Sequence, residues 1–166
     1  MNYLFCILFV VLGVGSRIVP HAPNFTPILS IALLSSLYIK NKYSILLPLS
    51  IMLISDILLG GNPMVHWVYL SIVLIILIGY FTKNTFKSIF ITSIFSSILF
   101  FMISNFGVWL SGGYSFTLSG LILCYYMAIP FFKNTLISTL IFSSSIFFIF
   151  KYADYFISKN KKLNLL

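Results

Sequence analysis

Long apolar runs separated by short polar connectors make up most of the sequence, and the runs are apolar on every face of a helix. Helices of that kind are buried in lipid or in a protein interior. A helix crosses a bilayer with about 20 mostly apolar residues. The runs predict six transmembrane helices, at about residues 3–19, 27–40, 44–60, 66–82, 88–110 and 133–152. We therefore predict an all-α integral membrane protein, with residues 1–166 forming a single domain and the six helices forming a compact bundle.

Two segments beside these runs carry proline signals. The second run is short, and Thr26 followed by Pro27 predicts where its helix begins, as an N-cap and a first helical residue. Residues 118–132 are apolar but short for a span, and Pro130 predicts an early end to a helix there. We expect residues 118–132 to form an extra short helix in the last outer connector, either a cap or a re-entrant half-helix, and not a seventh span.

The composition supports a membrane protein. Of the 166 residues, 60% are hydrophobic and 7% are charged, whereas about 25% of the residues in a soluble domain are charged. The net charge of +8 comes from cations at the ends of the apolar runs, and no basic cluster is interleaved with aromatic residues. We therefore expect contact with membrane lipid and no binding of nucleic acid.

The positions of the cations predict the orientation in the membrane. Two cations, Arg17 and Lys133, fall on one side of a six-helix chain. The other eight follow the second, fourth and sixth runs: Lys40, Lys42, Lys83, Lys87, Lys151, Lys159, Lys161 and Lys162. Because cytoplasmic connectors carry the excess of lysine and arginine, we predict a multi-pass protein of a bacterial inner membrane, with both termini in the cytoplasm.

Other polar side chains gather on the opposite, outer half of the predicted bundle. The candidate substrate-binding residues are Arg17, His21, Asn24, Asp56, His66, Asn105, Trp109, Tyr125 and Asn134. The inner connectors carry mainly lysines with small polar neighbours. A few polar groups that converge in an apolar setting are typical of a small-molecule site. The sequence therefore predicts a shared binding site near the extracytoplasmic face.

Asp56 is the most informative of these residues, because a carboxylate at the centre of a membrane helix costs roughly 2.5–3.5 kcal/mol. Such groups usually face a protein interior or a wet cavity, and they are paired. Arg17 is the only arginine in the chain and lies at matching depth, and its planar fork suits a carboxylate. We predict an Arg17–Asp56 ion pair that either locks the first and third helices together or holds the arginine ready for an anionic ligand.

Motifs for other chemistry are weak or missing. The sequence has no P-loop, no dinucleotide-binding glycine pattern and no nucleophile elbow. We therefore expect no ATP hydrolysis by this chain, no cofactor and no enzymatic activity. His21, His66 and Asp56 lack the tight spacing of a metal site. An enzyme that uses one of these histidines with Asp56 as acid and base is one alternative, and a structural scaffold of an envelope complex is another.

Small polar side chains on the last two runs predict close helix packing, because small residues let helices approach each other in lipid. They are Ser93, Ser96 and Ser97 on the fifth run and Ser138, Thr139 and Ser143 on the sixth. These faces suit a compact bundle. They are also the surface on which a second membrane subunit could dock, and on which the scaffold alternative places its partner.

Four ordered stretches carry a resemblance to a known family: RIVPHAPNFTPILSIALL, SDILLG, ISNFGVWL and CYYMAIPFFKNTL. From Arg17 to about Phe142 the chain resembles small bacterial membrane proteins grouped with the substrate-binding (S) components of energy-coupling factor (ECF) transporters. The resemblance implies a six-helix bundle that binds a small nutrient, often a vitamin, under outer connectors. Those connectors are residues 20–26, 61–65 and 111–132.

The resemblance also implies a partner and a role for each candidate residue. A separate transmembrane coupling subunit with two ATPases would drive release inward, although Gly13 and Gly15 stand where S components commonly carry an alanine-x-x-x-alanine docking face. Arg17 would contact an anionic group of the ligand, and Asp56 would orient Arg17 or accept from the ligand. The hydrogen-bonding contacts would be His21, Asn24, His66 and Asn105. The stacking walls would be Trp109 and Tyr125.

Overall fold

The computed structural model describes residues 3–39, 42–61 and 65–163, and the regular secondary structure in these ranges is helical throughout. The helices are α1 (Tyr3–Ile18), α2 (Ile28–Ile39), α3 (Lys42–Leu59), α4 (Val65–Phe81), α5 (Phe86–Val108) and α6 (Leu118–Leu163). A π-helical turn, Trp109–Gly113, continues α5. Within the described residues the all-α prediction is confirmed, and α1 to α5 begin and end within two residues of the predicted bounds. Residue 40, the predicted end of the second helix, lies outside the described residues.

The largest departure from the predicted fold lies in α6. Residues 118–132, predicted as a separate short helix, are the first turns of a 46-residue helix that continues through Pro130. The prediction that Pro130 ends a helix is therefore wrong. Proline removes one helical hydrogen bond, but α6 packs on α5 on both sides of the proline, through Tyr125 before it and Phe132 after it. This packing outweighs the local cost of the proline.

Among the described residues, two helical segments are long and apolar enough to cross a membrane by length and composition, Phe86–Gly113 and Leu118–Phe156. By contrast, α2 has 12 residues. At a rise of 1.5 Å per residue it is about 18 Å long, which is less than the hydrocarbon thickness of about 30 Å.

The short helix α2 lies at the centre of the bundle. Ten of its residues are buried, and it packs against α3, α4, α5 and α6. Its side chains Leu29, Leu33 and Leu34 belong to the same core as Ile51 of α3 and Ile76 of α4. A helix that is apolar on every face is therefore used here as an internal core element.

Helix ends follow from local sequence. The Ile31 amide donates to the Pro27 carbonyl at 2.9 Å, so Pro27 provides a helical acceptor at the start of α2, one residue later than the predicted cap at Thr26. The side chain of Thr85 caps α5 by accepting from the Ser88 amide at 3.3 Å. Such caps satisfy amides that have no partner within the helix.

The small polar faces predicted on α5 and α6 lie inside the bundle. Six residues of these faces are 0–1% exposed: Ser93, Ser96, Ser97, Ser138, Thr139 and Ser143. The Ser143 hydroxyl donates to Ser30 Oγ of α2 at 3.0 Å, and the Ser30 hydroxyl donates to the Thr139 carbonyl at 3.0 Å. The prediction of close packing is confirmed. The suggestion that these faces dock a partner is wrong, because contacts within the chain already cover them.

Candidate functional site

Two adjoining, partly open chambers lie beside the α1–α2 connector. The first, which we call the arginine chamber, measures about 290 Å³, and its polar lining residues are Arg17, His21, Asn24, Thr26 and Thr135. The second, the phenylalanine chamber, measures about 170 Å³ and is lined by Phe100, Phe101, Phe131 and Phe132 together with Ser104, Asn105 and Thr135. Both chambers are lined by Asn24, Val68, Phe100 and Thr135. The shared lining shows that the two chambers adjoin, and we call the pair the two-chamber cavity; each chamber is apolar with a few polar groups, as small-molecule sites usually are.

Arg17 lies in the last turn of α1, and its guanidinium contacts α3. Its Nη2 donates to Asp56 Oδ1 at 2.8 Å, and its Nη1 donates to the Ser55 hydroxyl and lies 2.9 Å from Met52 Sδ. The predicted Arg17–Asp56 ion pair is confirmed, and it joins the ends of α1 and α3. Because Arg17 also lines the arginine chamber, the arginine of this pair is part of the cavity wall and also links two helices.

The surroundings of this ion pair favour the positive charge of Arg17 more than the negative charge of Asp56. Arg17 and Asp56 both lie near helix C-termini, since α1 ends at Ile18 and α3 at Leu59. A helix C-terminus carries partial negative charge, which favours a cation and disfavours a carboxylate. The side chains are 18% and 14% exposed, Asp56 Oδ2 has no partner at ordinary hydrogen-bond geometry among the described residues, and the Tyr69 hydroxyl of α4 interacts with the carboxylate. Asp56 therefore depends on Arg17 more than Arg17 depends on Asp56.

A glycine turn ends α3 one helical turn after Asp56. Gly60 has a φ of +87°, and the Gly61 amide donates to the Asp56 carbonyl at 2.7 Å. A glycine with positive φ directly after the helix, together with a hydrogen bond from the next residue's amide to the carbonyl five residues earlier, is the Schellman motif that closes many helices. The Gly60–Gly61 pair thus sets Asp56 one turn from the helix end, level with the end of α1.

The α1–α2 connector turns sharply at Pro23 and Asn24. The Phe25 amide donates to the Ala22 carbonyl at 2.9 Å, and Asn24 has a φ of +63°. Proline in the second position and a positive φ in the third define a type II β-turn. Asparagine is among the few residues other than glycine that adopt positive φ readily. The turn brings Asn24 to the wall of both chambers.

Hydrogen bonds from α6 hold this turn in place. Asn134 Nδ2 donates to the Pro23 carbonyl at 3.0 Å, and the Ser138 hydroxyl, which donates to the Thr135 carbonyl at 3.0 Å, also lies 3.4 Å from the Asn24 carbonyl. Asn134 lies outside the lining of both chambers. The structure therefore gives Asn134 a supporting position behind the connector and does not bring it to the cavity.

Substitutions at Asn24 test the turn and the cavity separately. Asn24→Ala should lower stability by roughly 1–2 kcal/mol, because alanine at positive φ is strained. Asn24→Gly should cost less, since glycine adopts positive φ freely, while it still removes the side chain from both chambers. The melting temperature in detergent distinguishes the two variants, with about 2–4 °C expected per kcal/mol. A melting temperature for Asn24→Gly at or below that of Asn24→Ala would contradict the turn.

The structure brings four of the nine candidate residues to the two-chamber cavity, and Asp56 reaches it through Arg17. Arg17, His21 and Asn24 line the arginine chamber, and Asn105 lines the phenylalanine chamber. Asp56 and His66 line a separate, open cleft between α3 and α4. Within the described residues, no group of three or more His, Cys, Asp or Glu side chains could hold a metal ion.

Trp109 and Tyr125 lie away from the cavity. The Trp109 indole donates to the Ser115 carbonyl at 2.9 Å, and the Tyr125 hydroxyl donates to the Met102 carbonyl at 2.6 Å. These bonds close the α5–α6 connector and tie α6 to α5. The structure does not place the two residues as stacking walls, and phenylalanine rings line that part of the cavity instead.

The three connectors expected to cap a site differ in what they do. Residues 20–26 line the arginine chamber through His21, Asn24 and Thr26. Residues 62–64, most of the second connector, lie outside the described residues. The greater part of 111–132 belongs to α6.

Several lining residues were not among the candidates from sequence. Thr135 and Phe100 line both chambers, and Ser55 receives a hydrogen bond from Arg17. Thr135 follows Asn134 directly in the sequence. The KNTL stretch was therefore correctly identified as a polar segment near the site, but the asparagine was named as the binding residue instead of the threonine. Phe100 lies in a phenylalanine-rich run that offers no contrast along the chain.

Comparisons with known proteins place the chain in a family. No match to the chain is found among curated proteins or among solved structures. A family of unknown function, DUF6580, matches residues 1–162, which is nearly the whole length. The chain belongs to DUF6580, a family of unknown function.

Proposed function

We propose that the protein is a membrane-embedded substrate-binding component, similar to the S components of ECF transporters, that takes up a small nutrient such as a vitamin or a related metabolite. The observation that carries this proposal is the two-chamber cavity, in which Arg17, Asn24 and Asn105 converge within an apolar bundle. A cavity with a few polar groups and aromatic walls is the usual form of a small-molecule site.

The exterior of the bundle supports a multi-pass location in a membrane. Large apolar side chains are exposed along α5 and α6, including Phe95, Met102, Ile122, Ile141 and Phe148. Soluble proteins rarely expose apolar surface of that extent, whereas lipid is a suitable solvent for it. The short core helix α2 is enclosed by its neighbours and needs no lipid contact of its own.

The distribution of lysines supports an extracytoplasmic position for the cavity. Lys83 and Lys87 lie at the α4–α5 connector, where Asn84 accepts a hydrogen bond from Tyr38 at the far end of α2. Lys151 lies in the same part of the bundle, beside Phe147. This end is opposite the α1–α2 connector. The positive-inside rule assigns it to the cytoplasm of a bacterial inner membrane, so the cavity would face outward.

Inward release needs a source of energy outside this chain. The sequence has no ATP-binding motif, so a separate transmembrane coupling subunit with ATPases would supply it. The buried serine faces are not open to that subunit, and the contact would use the apolar exterior of the bundle.

A thermal-shift screen in detergent tests the proposed function. A panel of vitamins and their precursors should contain a compound that raises the melting temperature, because a ligand at 100 times its Kd adds about 2.7 kcal/mol of stability. We expect a rise of about 5–10 °C at that concentration, from 2–4 °C per kcal/mol.

A matched pair of variants locates the ligand in that screen. Val68→Phe should abolish the ligand-induced rise, since Val68 lines both chambers and a larger ring would fill the space. Val73→Phe is the control, because Val73 lies on the same helix with its side chain 38% exposed, and it should keep the rise. A panel with no stabilising compound, together with co-purification of envelope proteins, would favour the scaffold alternative.

A further inference from the structure

We propose that the ligand of the two-chamber cavity carries two different ends, a hydrogen-bond-accepting group such as a carboxylate at Arg17 and an N–H donor such as an amino group at Asn105. This inference rests on the proposed function. It follows from the hydrogen-bonding capacity that the protein leaves unused in each chamber.

The phenylalanine chamber offers acceptors. The Ser104 hydroxyl donates to the Phe100 carbonyl at 2.7 Å, and the Thr135 hydroxyl donates to the Phe131 carbonyl at 3.0 Å. Each hydroxyl has one hydrogen, and that hydrogen is used within its own helix. The oxygen lone pairs are what these two side chains can still offer to a ligand.

Asn105 adds a third acceptor to the same chamber. Its Nδ2 donates to the Phe101 carbonyl at 2.8 Å. The orientation of the amide follows from chemistry, since a carbonyl oxygen can accept from the nitrogen but not from the amide oxygen. The amide oxygen has no hydrogen-bond partner among the described residues and is the stronger acceptor group of Asn105 for a ligand.

The rings around these three oxygens favour the same kind of ligand group. Phe101 lies 4.8 Å from Phe132, and both line the phenylalanine chamber. Aromatic faces carry negative partial charge and attract N–H groups and cations. A donor group in this chamber meets three oxygen acceptors and two rings, whereas a carboxylate would find one donor, the second N–H of the Asn105 amide.

The arginine chamber has the opposite preference. A guanidinium has five N–H donors and no acceptor. One of these N–H groups, on Nη2 of Arg17, donates to Asp56 Oδ1 at 2.8 Å. Nη1 is directed to Ser55 and Met52 of α3. The remaining N–H groups of Arg17 can donate to a ligand oxygen. A carboxylate in this chamber therefore finds a positive charge and free donors.

Two of the four residues that line both chambers are apolar. Val68 and Phe100 line both chambers, so the middle of the ligand meets a flat ring and an aliphatic side chain. A planar aromatic body suits that surface. The ligand class is thus an aromatic or heteroaromatic acid that bears an amino group.

Matched compounds test this assignment by thermal shift on the purified protein in detergent. The probes are 4-aminobenzoate with 4-methylbenzoate, and 6-amino-2-naphthoate with 6-methyl-2-naphthoate. In each pair a methyl group of similar size replaces the amino group. We expect at least one amino compound to stabilise the protein at a concentration at least tenfold lower than its methyl partner, because a methyl group would leave the three oxygens without a donor.

Two isosteric variants link the difference to the phenylalanine chamber. Thr135→Val removes one of the three acceptors and should reduce the preference for the amino compound at least threefold. Thr139→Val is the control, since Thr139 lies one turn further along α6, is buried, and makes the same bond to the carbonyl four residues earlier, at 2.7 Å. It lines neither chamber and should leave the preference unchanged.

The outcomes separate this inference from the proposed function. Equal stabilisation by the amino and methyl compounds overturns the inference, as does stabilisation by neither pair. A stabilising vitamin or precursor without an N–H donor, sensitive to Val68→Phe, overturns the inference and leaves the proposed function standing. Failure of every probe and every panel compound overturns both.

Discussion

Arg17→Met should destabilise the protein by about 3–5 kcal/mol, because it leaves a mostly buried carboxylate without its counter-charge. Asp56 is 14% exposed and receives its hydrogen bond from Arg17 at 2.8 Å. The C-terminal ends of α1 and α3 add further negative potential around it. The free energy of unfolding in detergent, from denaturant titration, measures the loss.

The partner substitution should cost less. Asp56→Leu removes the carboxylate but leaves Arg17 with the Ser55 hydroxyl and Met52, and the two helix C-termini still favour a cation. The double variant, Arg17→Met with Asp56→Leu, should recover most of the stability, since removing both charges of a buried pair is often neutral. A surface control, Lys133→Met, should change stability by no more than about 0.5 kcal/mol.

The double variant also separates the two roles of Arg17. A protein without either charge that folds but no longer responds to a ligand would show that Arg17 contacts the ligand directly. A double variant that binds as before would limit Arg17 to joining α1 and α3. Additive single effects, with no recovery in the double variant, would contradict the importance of the pair itself.

The depth of each polar residue along its helix could be predicted from the sequence. Apolar runs and their polar ends gave the helix bounds, and equal distance from those ends paired Arg17 with Asp56. Both partners lie in the last turn or two of their helices, so their depth followed from counting residues. The position of a site residue along its helix can thus be predicted from the sequence alone.

The direction in which a residue faces around its helix could not be predicted. Amphipathic helices reveal their inner face through periodicity, but these runs are apolar on every side. His66 and Val68 differ by two residues, which is about 200° around a helix. His66 lines the open α3–α4 cleft and Val68 lines the two-chamber cavity. His66 was named from the sequence because it is polar, whereas the apolar Val68 is the residue that lies at the cavity.

The continuity of α6 through Pro130 also could not be predicted from the local sequence. Pro130 is a helix breaker by its own chemistry, and nothing near it in sequence indicates otherwise. The helix continues because α5 supplies contacts on both sides of the proline. Contacts of this kind join residues more than twenty positions apart, so they depend on the tertiary fold.

Gly79→Ala should destabilise the protein by about 3 kcal/mol or more. A Cβ atom on Gly79 would overlap the Leu33 carbonyl of the central helix α2, as well as the Ser36 hydroxyl. Overpacking usually costs 1–3 kcal/mol when side chains can move aside. A backbone carbonyl cannot rotate away, so α4 and α2 would have to separate.

Gly15→Ala is the matched control for Gly79→Ala, since Gly15 is also within a helix but has no atom within 4 Å of the Cβ position. It should be neutral or stabilise the protein by up to about 1 kcal/mol, because alanine favours a helix over glycine. Melting temperatures in detergent measure both variants. Similar values for the two would contradict the close α2–α4 contact.

Because Ile28 and Leu29 of α2 form part of the arginine chamber, separation of α2 from α4 should also reduce ligand binding. The packing of the core helix and the shape of the cavity are therefore linked.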